Sequence, residues 1–276
     1  MKTIFITGGT DGIGKAIAMH LLKKGDRVIV AGSSSAKGDI FYSEAKLIGA
    51  EERAIFLQAN LSLVRENQRS IEEVKNRFNS LDMLIFCAAK HSKEYTETIE
   101  GFELTFALAY LSRFILSYGL KECLEQSDNP VILNICAPGM KGEVNWNDLQ
   151  HKKSFAAQRV MFHGSRLNDM SGVAFAQNDT AGKVKYILYN PWAVQTSGMM
   201  ETFKNPVMKM MYKIIGKPAE KAIEPIIELL NNPPATSLSA YRERKKISLT
   251  MKTFDKENAK RLFDITAQMM KEFEGK

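Results

Sequence analysis

Cysteine is scarce in this chain. Cys87, Cys123 and Cys136 are odd in number and fall at no metal-ligand spacing, which argues against a disulfide framework and for a reducing compartment. Long apolar runs are missing too. The first, Ile4 to Ile6, is too short before the glycines for a signal-peptide core, and none reaches the ~20 residues that cross a bilayer. A cytoplasmic protein with no membrane span is the expectation. No linker-like stretch divides the sequence and no repeat recurs in it, so residues 1–276 read as a single domain with length enough for a sizeable core. Acidic side chains are outnumbered, 31 Asp and Glu against 38 Lys and Arg. That excess is scattered, with its densest run at Arg242-Glu243-Arg244-Lys245-Lys246, and reads as a solvated face and not as a nucleic-acid surface.

What is present is concentrated at the start. The apolar run Ile4 to Ile6 stops at Thr7, a glycine cluster follows, and a helical pattern begins. Gly8, Gly12 and Gly14 are spaced so that the backbone can turn tightly, approach a pyrophosphate and let the helix pack on the strand; Thr10, Asp11 and Ile13 complete the turn. The free N–H groups and positive dipole end of that helix would face the phosphates. Such a turn also serves as a plain helix cap, and the later segments bear on that choice.

Arg27 to Ala31 reads as a second buried strand. A site that prefers NAD places a carboxylate about 20 residues past the glycines to hold the ribose 2′-hydroxyl. Here stand Gly32-Ser33-Ser34-Ser35-Ala36-Lys37 instead. Ser33, Ser34 and Lys37 can receive a 2′-phosphate and no acid repels it, so NADP(H) is expected over NAD(H); a merely polar loop is the alternative. Further apolar runs, Arg53 to Gln58, Leu81 to Ala89, Val131 to Cys136 and Val184 to Asn190, alternate with helical patterns. This predicts an α/β, doubly wound Rossmann-type domain, a parallel sheet in the order 3-2-1-4-5-6 with helices on both faces.

Thr7-Gly8-Gly9-Thr10-Asp11-Gly12-Ile13-Gly14 resembles the TGxxxGxG opening of the short-chain dehydrogenase/reductase family. Gly101 to Phe106, Asn145 to Leu149 and Phe254 to Phe263 resemble its retinol-dehydrogenase-like branch. The resemblance covers nearly the whole chain through order and spacing. It implies adenine contact from Asn60-Leu61 where the family usually has Asp-Leu, close cofactor approach at Ala88 where the family's NNAG reads FCAA, and nicotinamide contacts from Pro191, Val194 and Thr196 within a PGxVxT pattern whose glycine is Trp192. It also implies a substrate-covering segment at about 197–217, rich in methionine (Met199, Met200, Met208, Met210, Met211), and a closing helix at about 255–273. The methionines suit an adaptable apolar wall, core filling or a homo-oligomer contact.

Carbonyl reduction needs a hydride near the carbon and a proton for the developing alkoxide. By resemblance the family's Asn, Ser, Tyr and Lys for this task fall on Ala109, Ala137 (or Cys136), Phe162 and Arg166, so all four are changed. Phe162 has no exchangeable proton, while Arg166 can still donate to ribose hydroxyls. His163 as a proton donor and Cys136 as a reactive thiol are candidate substitutes, each set against a structural role. Two readings follow: an NADP(H)-dependent oxidoreductase with atypical chemistry on a small carbonyl, alcohol or polarised C=C substrate, or a cofactor-binding pseudoenzyme acting as partner, sensor or scaffold.

Overall fold

The computed structural model describes residues 1–90, 92–195 and 216–275. Strand β1 (Thr3–Thr7) is buried along its length, and the turn after it opens α1 (Gly12–Lys23), capped by the Asp11 carboxylate on Gly12 N. The same alternation gives β2 (Arg27–Gly32), α2 (Ser35–Leu47), β3 (Ala54–Gln58), α3 (Val64–Arg77) and β4 (Met83–Phe86). Next come α4 (Leu104–Phe106), a π-helical turn (Ala107–Leu111), α5 (Ser112–Gly119) and α6 (Lys121–Glu125). The chain continues through β5 (Val131–Ile135), α7 (Ala157–Asn178) and β6 (Lys185–Asn190). It closes with α8 (Ala219–Ala222), α9 (Glu224–Asn231), β7 (Leu238–Arg242), β8 (Lys245–Lys246) and α10 (Lys256–Glu274).

The strands form one sheet in the order β3-β2-β1-β4-β5-β6-β7-β8, parallel except for the β7–β8 pair. The expected order is therefore present, extended by two strands. The winding order reverses between the parallel neighbours β1 and β4, and such a switch point opens a crevice at their carboxyl ends. Side chains alternate across the sheet: Ile4 and Ile6 pack with α1, α2 and α9, whereas Phe5 packs with α3, α5, α7 and α10. Burial on both faces is why the strands read as unbroken apolar runs.

Local departures from the sequence reading have simple causes. Cys87 and Cys136 lie just past the ends of β4 and β5 and not within them. Pro225 sits in the first turn of α9, where a missing N–H costs nothing. Helix α10 starts and ends one residue later than expected, with the Asp255 carboxylate capping Asn258 N at 2.7 Å. The methionine-rich part of the substrate-covering segment, with Thr196 before it, lies outside the described residues. No helix among the described residues is long and apolar enough to cross a membrane.

Candidate dinucleotide and active site

At the crevice three backbones meet. Gly8 has a φ of +67°, and a Cβ there would stand 2.8 Å from Ala88 N; a Cβ on Gly14 would stand 2.3 Å from Gly8 O. Thr7 Oγ1 ties the two strand ends by accepting from Cys87 N and Ala88 N, both at 3.3 Å. The glycines thus leave a bare backbone cradle at the N-terminus of α1, with no side chain between it and a phosphate, and this fits a dinucleotide. Ile13 packs its side chain on the core beside α1, and Thr10 Oγ1 lies 3.0 Å from where a Cβ on Gly32 would be.

The loop after β2 gathers the next group. Ser34 Oγ caps α2 by accepting from Lys37 N at 3.3 Å, Ser33 is exposed, and Lys37 Nζ pairs with Asp11 Oδ2 at 2.5 Å. Both members of that pair are close to half exposed, so parting them costs at most about 1 kcal/mol. Asn60 Oδ1 accepts from Ser62 N at 3.2 Å and from Ser62 Oγ at 2.7 Å. Both of its lone pairs serve this turn into α3, so an adenine amino group would have to compete with Ser62. Leu61 is buried in the core beneath.

The four positions singled out by the resemblance lie in the π-helical turn, just past β5 and on α7. Ala109 sits in the π-helical turn, and its carbonyl accepts from Asn168 Nδ2 at 3.0 Å. Cys136 and Ala137 follow β5, and Phe162 and Arg166 lie one turn apart on α7. Phe162 keeps 36% of its surface exposed, but Arg166 keeps only 4%. Its guanidinium pairs with Asp169 Oδ2 at 2.8 Å and donates to Thr253 Oγ1; Thr253 and Gly139 N donate to that same carboxylate oxygen at 2.5 and 3.1 Å. Burial raises the Asp169 carboxyl to about 6 against the pull of Arg166, Thr253 and Gly139. Arg166 thus bridges α7 and the segment before α10, while its Nε and Nη2 have no hydrogen-bond partner among the described residues.

Neither substitute donor has the environment its role requires. Burial pushes the Cys136 thiol up to about 12, which disfavours the thiolate. His163 is 3% exposed and stands edge-on to His151, ring centres 4.6 Å apart at 86°. Burial first and His151 second lower its pKa to about 4, so at neutral pH it carries no proton to give as imidazolium. With Glu103, Thr105 and Ala109 it lines a void of about 10 Å³, room for one water.

Trp192 turns away from the site. It adopts the left-handed φ of +62° that its glycine counterpart would take, keeps 53% of its surface exposed, and lies under the Arg242 guanidinium at 3.5 Å. Pro191 precedes it, and Val194 behind it is buried and bridged to Lys217. The sequence reading passed over Arg113. This residue is buried on α5 and donates to Ala88 O at 3.2 Å, to Asn168 Oδ1 at 3.0 Å and to Asn134 Oδ1. Asn134 in turn donates to Asn168 Oδ1 at 2.9 Å and to the Tyr186 hydroxyl at 3.1 Å. Arginine on the inward face of a helix between Ser112 and Phe114 is the signal that would have revealed it.

A glycine cradle at the switch point of a doubly wound sheet defines a dinucleotide-type α/β fold. Residues 2–148 match the short chain dehydrogenase family model, and the chain belongs to that family, in its retinol-dehydrogenase-like branch. It is 30% identical over 160 residues to the polyprenol dehydrogenase of Homo sapiens, a stretch covering 56% of this chain and 48% of that one. Against retinol dehydrogenase 12 of Mus musculus it is 22% identical over 272 residues, covering 98% and 86%. The match therefore spans about half of the first relative and most of the second. In fold it is similar to the 3-ketoacyl-(acyl-carrier-protein) reductase of Brucella melitensis complexed with NADH, at a TM-score of 0.66 and 17% identity, covering 87% of this chain and 96% of that one.

Proposed function

We propose that the protein binds NADP(H) and acts as an oxidoreductase on a small apolar substrate whose reduction needs no phenolic proton donor, a polarised C=C bond above all. The single observation that carries this reading is the cradle in which Gly8, Gly14 and Ala88 touch backbone to backbone. When bound, the dinucleotide supplies a hydride. The cradle and the α1 N-terminus would hold its phosphates, Ser33 and the α2 N-terminus its 2′-phosphate, and Lys37 would turn from Asp11 to that phosphate at small cost. Ala109, Ala137 and Phe162 offer the reacting centre neither donor nor acceptor side chain, so the proton must come from water at the open Phe162 side.

The relatives named for polyprenol and retinol support an apolar substrate, as do Met161, Phe162 and Met251, each more than a third exposed. A second reading, a cofactor-binding partner, sensor or scaffold without turnover, is favoured by one observation: Arg166 is locked by Asp169 and Thr253. Action on small molecules, a cytoplasmic setting and assembly into homo-oligomers belong to the same proposal. Calorimetric titration with NADPH and NADH, paired with NADPH oxidation against enones and aldehydes, tests it. Tighter NADPH binding with enone turnover is the expected result. Binding without turnover of either class selects the second reading, and a preference for NADH overturns the cofactor assignment.

A further inference from the structure

Arg113 is 3% exposed, and its three acceptors, Ala88 O, Asn134 Oδ1 and Asn168 Oδ1, are all neutral. No carboxylate among the described residues pairs with it, in contrast to Arg166 and its Asp169. Neutral amides satisfy N–H groups but leave a full positive charge in a medium that screens it poorly. Burial lowers the Arg113 pKa, yet a guanidinium stays protonated through the working range. Its place is specific. One bond holds the tip of β4, where Ala88 meets Gly8; through Asn168 it reaches the carbonyls of Ala109 at 3.0 Å and Gly164 at 2.8 Å. The charge therefore sits in the floor shared by the glycine cradle and the four substituted positions, which by the family pattern surround the reacting ring.

We infer that Arg113 makes this site favour the reduced form of a bound nicotinamide dinucleotide over the oxidised form. The inference rests on the dinucleotide reading above. The phosphates are common to both forms, so their attraction to Arg113 cancels in the comparison. The nicotinamide ring is neutral when reduced and carries one positive charge when oxidised, so a fixed cation near its site would oppose only the oxidised ring. For a ring held within about 10 Å of the guanidinium, Coulomb repulsion at an effective dielectric of about 20 would give a preference on the order of tenfold. Arg113 is on this view a positioning and electrostatic residue, holding Ala88 through one N–H and setting the redox preference through its charge.

Fluorescence titration of the full chain with NADPH and NADP⁺ at fixed ionic strength tests this without any turnover. The wild type should bind NADPH about tenfold more tightly. Arg113→Met should bring the ratio close to one, and Arg113→Lys should keep most of it. Asn134→Asp retains the guanidinium and sets a carboxylate against it, so it too should collapse the ratio. A purely structural Arg113 would weaken both nucleotides equally and leave the ratio unmoved, and that result overturns the inference. If a melt shows Arg113→Met unfolded, Asn134→Asp and the wild-type ratio decide. Equal wild-type affinities overturn the inference alone, whereas a wild type that binds neither nucleotide overturns the dinucleotide reading itself.

Discussion

At the scale of single residues, Trp192 and His163 show how much a neighbour decides. A left-handed L-residue costs roughly 1–2 kcal/mol, and an exposed cation–π contact returns about 0.5–1 kcal/mol. Trp192 has both, with its φ of +62° and Arg242 above the ring. Trp192→Gly should thus leave stability within about 1 kcal/mol of wild type, while Trp192→Ala, which keeps the strain and loses the stack, should cost about 0.5–1 kcal/mol. Denaturant midpoints should rank Gly at or above Trp, and Ala below. For His163 the sign follows from linkage. Its folded pKa of about 4 lies below the ordinary 6.5, so between those values the unfolded chain holds the extra proton and stability falls as pH falls. The full loss is up to about 3 kcal/mol. Asp169 acts in the opposite sense: its folded pKa of about 6 is above the ordinary 3.8, so across that window acid stabilises the fold through it. His163→Gln should therefore become more stable than wild type on going from pH 7 to pH 5, as read by guanidinium unfolding. An unchanged difference between the two proteins would show that His163 is not held neutral.

At the scale of elements, the sequence made the sheet and the dinucleotide turn legible because both depend on local spacing. Six apolar runs and the crossovers between them fixed the strand order, and the glycine spacing located the turn. What stayed hidden depends on contacts far apart in the chain. Strand β7 carries Ser239 and Tyr241 among few apolar residues, and β8 has two lysines, so neither shows a strand pattern until β6 supplies a partner for β7 and β7 one for β8. The π-helical turn at Ala107–Leu111 departs from a helical periodicity that continues through it. The Arg166–Asp169 pair was three residues apart on one helix and still unreadable, because Thr253 and Gly139 complete it. The turn gives a sharp prediction. Gly14→Ala drives a Cβ into Gly8 O and should cost at least about 2 kcal/mol while weakening NADPH binding more than tenfold. Gly164 on α7 has nothing within 4 Å of its Cβ position, so Gly164→Ala should stabilise by about 0.5–1 kcal/mol. Differential scanning calorimetry of the two variants, one down and one up, checks both.

At the scale of the whole molecule, the question is whether this scaffold still holds a working geometry around altered chemistry. On the proposed reading, in which Phe162, Ala137 and Ala109 stand where a proton donor, a carbonyl donor and a relay amide would be, NADPH-dependent reduction of simple aldehydes and ketones should stay close to background. General acid catalysis is worth about 10²–10⁴-fold, which bounds what a restored donor can return. Phe162→Tyr alone should return little, since an unassisted phenol titrates near 10 and needs a cation beside it. The set Phe162→Tyr, Arg166→Lys, Ala137→Ser and Ala109→Asn replaces the guanidinium by an ammonium, but a lysine at 166 would meet the same Asp169 and Thr253 that now hold the guanidinium. Asp169 would compete with the ribose for it. Adding Asp169→Asn should free the ammonium, so the fivefold variant is expected to reduce ketones at least tenfold faster than the fourfold one. Because Trp192 is turned outward under Arg242, it should not block the substrate. Steady-state rates for wild type, the single Tyr variant and the two combined variants, with NADPH affinity measured in each, decide the matter. If affinity is kept and the fivefold variant gains nothing, the substituted positions no longer surround a productive nicotinamide pose, and the second reading, a binding protein on a reductase fold, is the one that stands.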